Sequence, residues 1–105
     1  MMPYRVEVTC LCQKQIKEID DYLSKVISNP IAADKFLEET YRLVESLEYF
    51  PRRYPVRPGS RKYGDYEMRQ IRFTMNYTAY YTIDESEKLV TIAEIRYAKR
   101  QSTDL

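Results

Sequence analysis

Residues 66–101 read YEMRQIRFTMNYTAYYTIDESEKLVTIAEIRYAKRQ, and this stretch decides the fold. It holds no Gly and no Pro, and side-chain character alternates along three successive segments. Between Met68 and Met75, Arg69, Ile71 and Phe73 share one face while Met68, Gln70 and Arg72 share the other. Next, Tyr77, Ala79, Tyr81 and Ile83 alternate with Thr78, Tyr80 and Thr82. A period of two marks a strand, because successive side chains point to opposite faces. Asp84-Glu85-Ser86-Glu87-Lys88 reads as a turn, and Leu89–Tyr97 is β-branched and apolar enough for a central strand. The stretch predicts three consecutive strands threaded with Arg and Tyr.

Upstream, the period changes. Tyr4-Arg5-Val6-Glu7-Val8 alternates once more as a short strand, and Thr9 can cap a following helix through its hydroxyl. Apolar residues at Cys12, Ile16, Ile19, Leu23, Val26 and Ile27 then recur at spacings of three and four, a single helical stripe. Ser28-Asn29-Pro30 interrupts it. Asn29 is a favourable cap, and Pro30 at the first helical position lacks only an N–H that would have no partner anyway. A second stripe runs through Ala33, Phe36, Leu37, Thr40, Leu43, Val44 and Leu47 and stops at Phe50-Pro51. Two helices joined so closely form an antiparallel hairpin. Pro51, Pro55, Pro58, Gly59 and Gly64 mark residues 51–64 as a loop. The order is β-α-α-β-β-β, and the expected fold is α+β: a small antiparallel sheet packed on an N-terminal helical hairpin. The expected core contains Ile16, Ile19, Leu23, Phe36, Leu43, Leu47, Tyr81 and Ile92.

A chain of 105 residues, 44% hydrophobic and 31% charged, fits a single domain spanning 1–105 with one modest core. No apolar run approaches the roughly 18 residues that a membrane span requires, so no membrane association is expected and the cytoplasm is the expected location. Cys10 and Cys12 are the only cysteines. Their spacing disfavours a mutual disulfide, and with no other Cys and no His to complete a site, no metal is expected. The net charge is +1, yet residues 51–72 carry Arg52, Arg53, Arg57, Arg61, Lys62, Arg69 and Arg72 against only Asp65 and Glu67. That excess would steer a polyanion or an acidic partner protein to one face. Arg dominates it, and Arg offers a planar bidentate fork that Lys lacks.

The absence of His excludes Ser-His and Cys-His nucleophilic dyads. Two glycines cannot build a glycine-rich phosphate loop. What remains is chemistry or binding run by Arg, Lys and Tyr. Arg can offset charge growing on a phosphate, whereas Tyr and Lys, with ordinary pKa values near 10, are poor proton carriers unless their surroundings shift them. Tyr80 and Tyr97 lie among the strands that also carry Arg72, Arg96 and Arg100. Aromatics beside Arg serve equally as stacking platforms for unpaired bases and as hot spots of protein interfaces.

The order of elements carries a family resemblance. The helices ending in Leu47-Glu48-Tyr49-Phe50-Pro51, the run Asn76-Tyr77-Thr78-Ala79-Tyr80-Tyr81-Thr82-Ile83-Asp84, and Ile95-Arg96-Tyr97-Ala98-Lys99-Arg100 resemble the RelE/ParE superfamily of bacterial toxins. The resemblance implies the toxin half of a type II toxin–antitoxin module, neutralised by a cognate antitoxin, with no cofactor. It implies one of two targets: DNA gyrase, bound as ParE-like members bind it, or ribosome-bound mRNA, cut as RelE-like endonucleases cut it. If the protein were such a nuclease, Arg72, Arg96 and Arg100 would carry catalysis. Arg61, Lys62, Arg69, Tyr80, Tyr97 and Lys99 are the expected binding residues. This chain has Thr78 where RelE-like nucleases usually carry Arg, and Gln101-Ser-Thr-Asp-Leu105 where they carry Tyr or His-Tyr. These departures favour the binding action. The assembly stays open between a homodimer and a toxin–antitoxin hetero-oligomer.

Overall fold

The computed structural model describes residues 3–54, 56, 62–64, 66–74 and 77–97. Strand β1 (Arg5–Val8) leads into helix α1 (Cys10–Asp21), which runs on through a wide π turn at Tyr22–Val26; α2 (Pro30–Tyr49) follows. Then come a single 3₁₀ turn (Pro51–Arg53), a short antiparallel ribbon of β2 (Lys62–Tyr63) and β3 (Tyr66–Glu67), and the strands β4 (Arg69–Phe73), β5 (Tyr77–Asp84) and β6 (Leu89–Tyr97). The main sheet has the order β1-β6-β5-β4. Both helices begin as their sequences dictate. Thr9 Oγ1 accepts the Cys12 N–H at 3.1 Å, and Asn29 Oδ1 accepts that of Ala32 at 3.0 Å, ahead of Pro30.

The sheet departs from the expected all-antiparallel arrangement at one edge: β1 pairs in parallel with β6, with Val6 opposite Val90 and Val8 opposite Ile92. The helical hairpin explains this. It returns the chain to the start of β1, where the Tyr4 N–H donates to the Glu48 carbonyl at 2.8 Å. From there β4 sets out in the same direction as β1, and a meander of three antiparallel strands gives β6 that direction too. The ribbon of β2 and β3 lies partly in the stretch read as loop; Gly64, at φ 64°, turns it.

Ala93 interrupts the alternation. Tyr80 pairs with Glu94 and Tyr81 with Ile92, leaving Ala93 as a bulge, and both Ile92 and Ala93 are buried. Beyond this point β1 has ended, and the side chains of Thr9, the α1 cap, and of Gln15 in α1 take over the β6 edge. Thr9 Oγ1 donates to the Ala93 carbonyl at 2.8 Å, and Gln15 Oε1 accepts the Ile95 N–H at 2.7 Å. No edge polar group need be left dry.

The hairpin covers one sheet face. Phe36, Leu43 and Leu47 of α2 and Cys12 of α1 meet Ile71, Phe73, Tyr77, Ala79, Tyr81, Val90, Ile92 and Ile95. Ile16, Ile19 and Leu23 pack around this core only partly buried. Phe36 sits 5.1 Å from Tyr77 and 6.0 Å from Phe73, centroid to centroid. Each fully buried large side chain contributes roughly 1.5–3 kcal/mol, against ~0–1 kcal/mol for an exposed ion pair. Every ion pair among the described residues has at least one exposed member, so the apolar core carries the stability. At the hairpin tip the expected stripe fails: Val26 and Ile27 are exposed. The π turn at Tyr22–Val26 breaks the regular helical spacing there, and Ile27 is left exposed at the rim beside β6.

Candidate functional site on the open face of the sheet

The pleat sends alternate residues of β4, β5 and β6 to the uncovered face, and register aligns them into rows. Arg72 lies opposite Thr78, and Thr78 opposite Arg96, so two guanidinium side chains flank one hydroxyl. Their Cα atoms are two strand spacings apart, about 10 Å. The next row is Gln70, Tyr80 and Glu94. Both Arg72 and Arg96 are exposed. Arg96 is held in place, with its Nε 3.4 Å from Glu94 Oε1 and its guanidinium carbon 5.8 Å from the Tyr80 ring centre. Among the described residues Arg72 has neither ion pair nor hydrogen bond through its side chain. One arginine is thus preorganised and the other is available, a pairing suited to gripping an anionic group between them.

The remaining site residues fall elsewhere. Arg69 has the opposite parity and points to the helix side, where Nη1 donates to the Tyr54 carbonyl at 2.6 Å. It ties the loop after α2 to the sheet. Lys62 is exposed on the β2–β3 ribbon. Tyr97 also has inner-face parity. It packs edge-on against Tyr77 at 5.5 Å while staying exposed, and helps line a groove of about 650 Å³ with Tyr22, Leu23, Ile27 and Ile95. Arg61, Lys99 and Arg100 lie outside the described residues. Two features of this region were not read from the sequence: the placement of Thr78 between the two arginines, and the groove.

The row can stabilise negative charge, and the carboxylate of the neighbouring row, Glu94, is engaged by Arg96. No group of three metal-ligating side chains exists among the described residues. Of the two thiols, Cys10 is exposed, while burial, with a smaller contribution from Glu94, pushes that of Cys12 up to about 11. No helix among the described residues is long and apolar enough to cross a membrane.

A two-helix hairpin on a four-stranded mixed sheet matches the RelE/ParE-like α+β fold. Residues 6–102 match the family model of the ParE toxin of the type II toxin–antitoxin system parDE, and the chain belongs to that family. Among solved structures, it is similar to a chain of the chromosomal ParDE toxin–antitoxin system from P. aeruginosa. The identity is 18% and the TM-score 0.72, over 91% of this chain and 97% of that one. It is also similar to chains of a RelBE toxin–antitoxin complex from Mycobacterium tuberculosis (19% identity, TM-score 0.60, 92% and 93% covered) and of a RelE–RelB complex from Pyrococcus horikoshii (24% identity, TM-score 0.57, 94% and 99% covered). At these identities the likeness is one of fold. Among curated proteins, none matches the sequence.

Proposed function

We propose that this protein is the growth-arresting toxin of a cytoplasmic toxin–antitoxin pair and that it acts by binding DNA gyrase. The observation that carries this reading is the composition of the open row in a chain of the ParE family: two arginines around Thr78, with no imidazole anywhere in the sequence. Such a row grips charge well and moves protons poorly, which favours binding over phosphodiester cleavage. A cognate antitoxin neutralises the toxin. Its apolar anchors dock in the groove beside Tyr97 and Tyr22, whose exposed rings favour such a partner, and its acidic residues speed association with the basic side.

A second reading, a RelE-like ribosome-dependent mRNA endonuclease, draws support from the alignment of Arg72 with Arg96 across β5. In that case Arg72, Arg96 and Arg100 would offset charge on the phosphate, and losing one would cost on the order of a hundredfold in rate. Purified toxin assayed in parallel on gyrase and on translating ribosomes separates the two. Inhibited supercoiling with trapped cleaved DNA and intact mRNA is the expected result; A-site cleavage that vanishes in Arg96→Ala selects the nuclease.

A further inference from the structure

A second recess opens at the other end of the sheet. From Lys88 to Arg96 the chain runs the length of β6, about 25 Å at the usual rise per residue, so this recess is separate from the arginine row. Its volume is about 830 Å³, and it is lined by Tyr4, Tyr49, Phe50 and Pro51 together with Arg52, Arg53 and Lys88. Phe50, 58% exposed, and Tyr49, 49% exposed, leave large aromatic surfaces in water where α2 ends. Among the described residues, no acidic side chain lines it.

Glu85, in the β5–β6 turn, is the carboxylate that the lining cations engage. It accepts from the Tyr4 hydroxyl at 2.6 Å and from Arg52 Nε and Nη2 at 2.7 Å each, and Lys88 Nζ approaches its other oxygen at 3.2 Å. These contacts, the Tyr4 hydroxyl first and then Arg52 and Lys88, hold Glu85 down to about 2, so it remains charged and keeps both cations in position. Lys88 takes a left-handed backbone (φ 52°), unfavourable for a residue with a side chain, and holds its ammonium 5.0 Å from the Tyr4 ring centre. Arg53 stacks near Tyr54 at 5.9 Å and has no carboxylate partner among the described residues. Two of the three cations at the mouth of this aromatic recess, Arg52 and Lys88, therefore share the Glu85 carboxylate, and Arg53 has none among the described residues. Arg52 and Arg53 also complement the partial negative charge at the end of α2, which accounts for their sign but not for the exposed Phe50 and Tyr49 beside them.

We infer that this recess is a docking site for an acidic peptide segment carrying one aromatic or branched aliphatic anchor. The anchor packs on Phe50, Tyr49 and Pro51, and flanking carboxylates meet Arg53 and the spare donors of Arg52 and Lys88. Single-stranded nucleic acid fits less well, because it needs cations spaced along a track, whereas here they ring one recess and two are already engaged by Glu85. The inference does not depend on which target the toxin has.

The test uses two-dimensional NMR titration with an acetylated, amidated hexapeptide of five acidic residues around one phenylalanine. Its lysine-for-acid counterpart and a short oligothymidylate serve as comparisons. The acidic peptide is expected to give saturable shifts at Tyr4, Tyr49, Phe50 and Lys88, weakened about tenfold in Phe50→Ala and in Arg53→Glu and unchanged in Arg72→Glu. The wild-type-like spectra expected of these surface variants separate lost binding from lost folding. Absence of saturable shifts at those residues, equal binding of the lysine peptide, or binding there by the oligothymidylate alone would each overturn the inference.

Discussion

Tyr80 and Tyr81 are neighbours in β5, yet they belong to different parts of the molecule. Tyr81 is fully buried under the helices, and its hydroxyl donates to the Pro51 carbonyl at 2.7 Å, pinning the turn after α2 to the sheet. Tyr80 faces the open side, half-buried beside Arg96. One pleat step separates a residue that holds the fold from one placed to meet a partner. The covered face is a mainly apolar layer, Arg69 at its edge apart, in which most changes cost stability. The open face is a polar surface on which charge can change at little structural cost. On the proposed reading, stability and target binding thus lie on opposite faces of the same three strands, and substitutions should divide accordingly.

The largest expected effect is on the covered face. Leu43, only 4% exposed, lies in the core cluster, and Leu43→Asp would bury an unpaired charge at a cost of several kcal/mol. The variant should be unfolded by circular dichroism; a cooperative melt would remove the basis for separating the faces. Smaller, and on the same face, Tyr81→Phe leaves the Pro51 carbonyl without its donor and should cost about 1–3 kcal/mol in chemical denaturation. Its pH dependence sharpens the point. Burial raises the Tyr81 hydroxyl above the ordinary tyrosine value, although the charge of Arg69 opposes this. A raised value means that the contribution is complete below the ordinary tyrosine range and is lost as pH climbs past it. The stability gap between wild type and Tyr81→Phe should therefore narrow in strong alkali; a constant gap would contradict the buried neutral phenol.

How far these assignments were legible in the sequence depended on how local their causes are. The caps at Thr9 and Asn29, the helical stripes and the alternation that separates Tyr80 from Tyr81 arise from neighbours a few residues apart, and they could be read directly. The alignment of Arg72, Thr78 and Arg96 needed one further fact, the register across β5, which the sequence restricts but does not specify. Arg69 shows the difficulty: its charge pointed to binding, while its parity and the Tyr54 carbonyl turn it toward the helix side. The parallel pairing of β1, the bulge at Ala93 and the recess joining Tyr4 to Lys88 depend on contacts between distant parts of the chain, and no local pattern encodes them.

The smallest stability effects belong to the open face and the surface. Arg72→Glu with Arg96→Glu should shift stability by only about 0.5 kcal/mol or less per site, apart from the exposed Arg96–Glu94 pair, while abolishing growth arrest on expression. A large loss of stability would place these residues in the structural half of the comparison. The cysteines repeat the contrast on a few residues of α1. A thiol reagent at neutral pH should modify Cys10 quickly and Cys12 only on unfolding, since Cys12 is fully buried and its thiol is pushed up to about 11.

The central claim, that the open face works by gripping a target rather than by cutting RNA, meets its most direct test in a gyrase supercoiling assay. It compares the purified protein with the Arg72→Glu, Arg96→Glu variant. The wild-type chain is predicted to inhibit supercoiling and trap cleaved DNA, and the folded double variant to do neither. Undisturbed supercoiling by the wild-type protein, together with cleavage of mRNA on translating ribosomes that the double variant loses, would contradict it.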